Sequence, residues 1–224
     1  MSGLIGINSD RIVLLLPVVI SSQTLHITRS LYHMKKSIIT ALVLFTLTAF
    51  TLTGKTWKSD QAHSQLMFTA THMGISDVSG TFNDFKATLV AGKPDLSDAT
   101  IEMTAKVASI DTRVEKRDEH LKSEDFLDEK KFPELNFKST SIKPAGKNTF
   151  KLNGKLLLHG VTKPVALTLF YIGTIKNPMN EKLTAGYRVT GTISRKDFNI
   201  GVKFQAPLIS DAIRIKADGE FQLE

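Results

Sequence analysis

The chain has 224 residues, and its 29 Lys+Arg against 22 Asp+Glu give a basic surplus in which the two signs are interspersed. That pattern lacks the basic stripe of a dedicated nucleic-acid binder, so no nucleic-acid partner is expected. With no cysteine at all, disulfides, zinc–thiolate sites, thiol catalysis and a lipidated N-terminal cysteine are excluded, and the fold must rest on packing alone.

In chain order, residues 1–33 carry a short apolar patch, "IVLLLPVVI", and are read as a start-site extension or a disordered stretch ahead of a true start at Met34. Met34-Lys35-Lys36 then opens onto the apolar run "IITALVLFTLTAF" and ends in small residues near "TLTG". A basic start, an apolar run of this length and small residues after it predict a signal peptide over 34–54. The run is short for a lasting membrane span. The expectation is export to a bacterial periplasm without stable membrane insertion. Residues 55–224 then form a single domain of ordinary size, with 25 Lys+Arg and 21 Asp+Glu.

From 55 onward the hydrophobic period is two. "SQLMFTATHM" puts Leu66, Phe68 and Ala70 on one face, and "IEMTAKV" alternates Ile101, Met103, Ala105 and Val107 with polar residues. "AGYRVTGTISR" does the same with Tyr187, Val189 and Ile193, and "AIRIKADGEFQLE" with Ile213, Ile215, Ala217, Phe221 and Leu223. One apolar face at period two means half-buried antiparallel strands. Strands are expected near 55–60, 64–74, 78–91, 99–109, 135–143, 148–159, 163–176 and 184–196, with a last one near 211–223 to close the sheet. Turns rich in Gly, Pro and Asn separate them, such as "GKPD", "HGVTKP" and "NPMN". Long consecutive strands without helices between most of them predict an all-β, antiparallel up-and-down barrel of about eight strands, lipocalin-like in plan. The one interruption, 111–134, is rich in helix formers and ends at Pro133, so it reads as a short helical insertion.

The inward face is expected to carry Leu66, Phe68, Phe82 or Phe85, Ile101, Met103, Phe137, Leu167, Leu169, Tyr187 and Val189. A barrel of about eight strands either fills with such side chains or holds one small ligand. Composition does not separate the two. If hollow, ten buried methylenes at ~0.8 kcal/mol each give a ligand roughly 8 kcal/mol before ordering costs, near micromolar affinity.

The insertion also holds "RDEHLKSEDFLDEKKF", in which Arg117, Asp118, Glu119, His120, Glu124 and Asp125 crowd together. On a helix His120 and Glu124 share a face. A metal site would need a third ligand, Asp118 or the distant His63 or His72, and no His-Glu-x-x-His pattern supplies one. Acid–base catalysis would need two converging carboxylates, whereas Glu119, Glu124 and Asp128 read as facing water. A solvated helix face is the simpler meaning. There is no Gly-x-Ser-x-Gly elbow and no phosphate-binding Gly-rich loop. No catalytic residue, metal or cofactor is assigned, and His159 in "HGVTKP" reads as a turn residue.

Several segments, in this order and spacing, resemble the YceI family of secreted bacterial lipocalin-like proteins, also called polyisoprenoid-binding proteins. They are Trp57, Asp60, His63-Ser64 and Phe68; "VSGTFNDF" at 78–85; "SIDTRVEKRDEHLKSEDF" at 109–126; "FPELNFKST" at 132–140; "NGKLLLHGVTKPV" at 153–165; and "ISRKDF" at 193–198. The resemblance implies an antiparallel barrel closed by a short helical element, with an apolar tunnel for a polyisoprenoid or other long apolar lipid. The family's Gly after the last motif is here Asn199, the residue next most tolerant of a left-handed backbone, so the turn is expected to persist. The residues themselves place Arg117 and Asp118 in capping and ion-pair contacts over the barrel mouth. Arg117 and His120 are expected at the rim against a polar head group. Exposed strand edges leave room for a homodimer. The alternative reading is a periplasmic metal-dependent or acid–base hydrolase using 118–125.

Overall fold

The computed structural model describes residues 54–224; the expected signal peptide and the segment before it lie outside the described residues. Ten strands form a single antiparallel sheet: β1 (Lys55–His72), β2 (Ser76–Phe82), β3 (Phe85–Ala91), β4 (Thr100–Lys106), β5 (Ile110–Asp111), β6 (Glu134–Gly146), β7 (Thr149–Leu158), β8 (Val161–Lys176), β9 (Leu183–Ser194) and β10 (Ile209–Leu223). The sheet closes because β10 pairs with β1, Phe68 lying opposite Ile215 and Leu66 opposite Ala217. Two staves are broken in the middle, β2 with β3 and β4 with β5, so the barrel has eight staves. One α-helix, α1 (Glu115–Lys122), sits in the insertion.

Most strand ends fall within three residues of the sequence expectation, with Val161 to Pro164 of the expected "HGVTKP" turn already in β8, and strand continuity differs at three places, each for a local reason. The strands expected at 55–60 and 64–74 are one strand, β1, whose register against β10 jumps between Ser59 and Ser64. Residues 60–63 carry no apolar alternation because they form this corner. Asp60 Oδ1 accepts from the Ala62 N–H at 3.0 Å, and Asp60 Oδ2 meets His63 Nδ1 at 2.8 Å. The strand expected at 78–91 is interrupted at Asn83-Asp84, and the one at 99–109 by a 3-10 turn at Val107–Ser109. The two breaks are stitched together: Asn83 N–H donates to Ser109 O at 3.0 Å and Lys106 N–H to Asp84 O at 2.9 Å. The break reverses the facing of the chain, so Phe82 and Phe85, three apart, are both buried. Asn199 has φ 58° and ends the 3-10 turn Arg195–Phe198 in the left-handed region, as expected of the residue standing for Gly.

The Asp60–His63 corner makes stability pH-dependent. The hydrogen bond between them holds the Asp60 carboxyl below its usual range and raises the His63 imidazole above its own. The His63 contribution is complete below about pH 6.5 and is lost as pH rises through the raised value. The Asp60 contribution is complete above about pH 3.9 and is lost as pH falls through the lowered value. His63→Ala is therefore expected to lower Tm most between about pH 4 and 6.5 and least near pH 9. Thermal melts across that range check it; a difference independent of pH would contradict the pairing.

Candidate functional site

The barrel is hollow. Its lumen holds a cavity of about 550 Å³, within the usual span of small-molecule sites. Three inward glycines explain why large side chains have not filled it. A methyl on Gly80 would fall 2.5 Å from the Phe68 ring, and one on Gly154 only 2.3 Å from the Phe137 ring. Each ring therefore lies back over a neighbouring strand where a side chain would otherwise stand. Leu167 leans over Gly191 in the same way. At the end away from α1 the lumen is plugged: Phe150, Ile142, Ala185 and Leu96 are buried there, with Trp57 and Tyr171 packed against them.

Leu66, Phe68, Phe82, Phe85, Ile101, Met103, Phe137, Leu167, Leu169, Tyr187 and Val189 all stand on the cavity wall, as do Arg117 and His120. Burial pushes the Tyr187 phenol up to about 12, with a smaller push from Tyr171, so it stays neutral. Sequence reasoning missed the wall residues that lie outside regular strands. Phe126, Ile200, Phe204 and Leu208 line the lumen from irregular segments with no hydrophobic period to reveal them.

Apart from the Tyr187 phenol, the polar side chains of the wall gather at the β1–β10 seam, at Ser64, Gln65 and Asp218, and at the helical end, at Thr71, His72, Thr112, Arg117, His120 and Arg195. At the helical end His72, His120 and Leu208 both line the cavity and are exposed, which marks a mouth. An aromatic group guards it. Phe126 and Phe204 stack at 5.0 Å between centroids, and the His120 ring meets them edge-on at 4.9 and 5.5 Å.

α1 is pinned over this mouth, but not by the expected cap and ion pair. Its N-terminus has no side-chain cap, and Arg117 has no carboxylate partner among the described residues. Both Arg117 and Asp118 instead grip buried Thr112. Asp118 Oδ1 accepts from Thr112 N–H at 2.8 Å and Oγ1 at 2.5 Å, while Arg117 Nε donates to Thr112 Oγ1 at 2.7 Å and a terminal nitrogen to Thr112 O at 2.8 Å. The rest of the charged cluster is dispersed. His120 Nε2 lies 3.5 Å from Asp125, Asp125 pairs with Lys203 at 2.6 Å, Asp128 pairs with Lys131 at 2.8 Å, and Glu119 and Glu124 face water. The hydrogen bond from Lys203 holds the Asp125 carboxyl below its usual range. Among the described residues, three ligand-type groups converge only at Asp60, His63 and Glu220, within 4.8 Å of one another on the β1 corner and away from the lumen. His159 bonds Phe198 O at 3.0 Å through Nδ1 and packs edge-on against Phe132, which ties two turns together.

The YceI-like domain family matches residues 57–221, all but the outermost residues of this barrel. The chain belongs to the YceI family. A UPF0312 protein of Pseudomonas fluorescens is 42% identical over 143 residues, covering 61% of this chain and 71% of that protein. One of Shewanella putrefaciens is 34% identical over 170 residues, 75% of this chain and 88% of its own length. Among solved structures, the Campylobacter jejuni YceI protein superposes with a TM-score of 0.63 at 28% identity, over 68% of this chain and 89% of that one. A polyisoprenoid-binding domain from Saccharophagus degradans superposes with a TM-score of 0.55 at 12% identity, over 76% of this chain and 99% of that domain, a likeness of fold alone.

Within this YceI barrel one further residue shapes the mouth. Arg195 opens the segment that leads to β10 and is only 3% exposed. Its guanidinium donates to the carbonyls of Ser210 at 3.0 Å, Ile200 at 2.8 Å, Gly201 at 2.6 Å and Ile209 at 3.2 Å, and also to Phe204 O. A single cation thus organises the irregular segment that carries Ile200, Phe204 and Leu208 into the wall.

Proposed function

We propose that this protein is an exported, non-catalytic carrier or sequestering protein that holds one long apolar lipid, isoprenoid-like, along the lumen, with the lipid's polar end at the α1 mouth. The observation that carries the proposal is the hollow apolar lumen, whose helical end combines cationic side chains with an opening. Arg117 lacks a carboxylate partner among the described residues and stands on the wall, so a head group with acceptor oxygens suits it. The likeness in fold to a polyisoprenoid-binding domain supports the ligand class. The basic start and apolar run of 34–54 support export to a periplasm.

The affinity comes from apolar contact along many side chains, so no single polar residue dominates it. His120→Ala is expected to lower affinity for a polyprenol or an isoprenoid quinone delivered from cyclodextrin by no more than about fivefold, because it trims one wall side chain of many. Titration by native mass spectrometry measures this. A hydrolase built on 118–125 would instead lose all turnover with His120→Ala and take up no stoichiometric lipid.

A further inference from the structure

Resting on the reading that the lumen holds a lipid, we propose that the rim beside the mouth is a docking surface for a lipid bilayer, through which the ligand enters and leaves. The rim is built from two segments, residues 72–76 and 204–209, joined where β1 turns into β2. Met73 N–H donates to Leu208 O at 3.0 Å, His72 pairs with Ile209, and Gly74 lies against Pro207. On this rim Ile75 is 86% exposed, Met73 55% and Leu208 43%. Met73 and Ile75, large and held in water, have no role in packing the barrel. Leu208 also lines the lumen, so the exposed apolar surface is continuous with the apolar cavity.

The chemistry of the surroundings favours lipid over a charged partner. Neither segment contains an acidic residue, and the first acid beyond them, Asp77, is paired with Arg214. Across the mouth α1 mixes both signs, with Glu115, Lys116, Arg117, Asp118 and Glu119 in succession. Nothing on the rim repels lipid phosphates, and no basic stripe draws it to a nucleic acid or an acidic protein. Passing a long chain through water costs ~0.8 kcal/mol for each methylene exposed, which a rim seated in the bilayer avoids. Binding of this kind is driven by apolar insertion and is insensitive to salt.

The test uses the protein as recovered from its host, its N-terminus defined by mass spectrometry, with variants carried on the same N-terminus. Flotation with phosphatidylethanolamine–phosphatidylglycerol vesicles reads docking, and transfer of a fluorescent polyprenol between vesicles reads exchange. Ile75→Asp is expected to lower both by at least about tenfold, with flotation unchanged by salt. Ile175→Asp serves as control: Ile175 is 64% exposed but lies at the plugged end, and its substitution is expected to leave both unchanged. Equal flotation and transfer for Ile75→Asp and the unaltered protein would overturn the proposal. So would an equal loss with Ile175→Asp. Failure of the lipid-holding reading is distinguishable: the unaltered protein would then take no polyprenol from cyclodextrin, a delivery that needs no bilayer, while flotation would still report on the rim.

Discussion

Ala217→Phe is expected to abolish most lipid uptake while leaving the barrel as stable as before or slightly more so. Ala217 lies between Leu66 and Val189 on adjacent strands, and all three line the lumen. In a filled barrel the added ring would have nowhere to go, and overpacking would cost about 1–3 kcal/mol. Here it enters a cavity of about 550 Å³ and gains apolar contact instead. The ring takes space that the ligand chain needs. Affinity for a polyprenol delivered from cyclodextrin should fall by about tenfold or more, the loss of roughly two buried methylenes or their equivalent. Urea melts and native mass spectrometry on the same variant read the two effects separately. A destabilised variant that binds normally would mean that the lumen is not the binding site.

Arg195→Met is expected to be the most damaging substitution in the molecule. The guanidinium is buried and satisfies carbonyls of five residues on the segment that closes the mouth. Methionine fills much of the volume but donates nothing. Buried carbonyls left without a donor cost about 1–3 kcal/mol each, although the segment can turn some of them to water. A net loss of about 3–5 kcal/mol is expected, measured as a lower urea midpoint, with Arg195→Lys intermediate because an ammonium offers three donors and no planar fork. The irregular segment would lose its shape with the cation, so Phe204 would leave its stack with Phe126. An unfolding free energy within about 0.5 kcal/mol of the unaltered protein would show that the segment holds itself without the cation.

Much of this architecture is legible in the sequence. Period-two alternation survives wherever a strand is buried on one face, so Ile101, Met103, Phe137 and Tyr187 could be placed inward from their spacing. The failures have physical causes. The 60–63 corner shows no alternation because its side chains bond one another instead of packing, so one bent strand reads as two. Phe82 and Phe85 cannot both face inward on an unbroken strand, and only the stitched break at Asn83-Asp84 reconciles them. Arg195 reads as a surface residue by type, since arginine is seldom fully buried without partners, and its partners are backbone carbonyls that no side-chain pattern reports. Hollow against filled depended on Gly80, Gly154 and Gly191 facing the lumen opposite large side chains, a matter of register and not of composition. At the mouth, the sequence marks the region of Arg117 and Asp118 but not their shared partner, because Thr112 carries no charge to reveal it.

Whether the lumen holds a lipid is tested most directly by native mass spectrometry of the protein recovered after export in a bacterial host, followed by organic extraction of whatever accompanies it. A lipid-holding barrel should carry a stoichiometric adduct that extracts as a polyprenyl-type lipid. A clean unliganded mass, with no uptake when polyprenols or isoprenoid quinones are offered, would contradict that expectation.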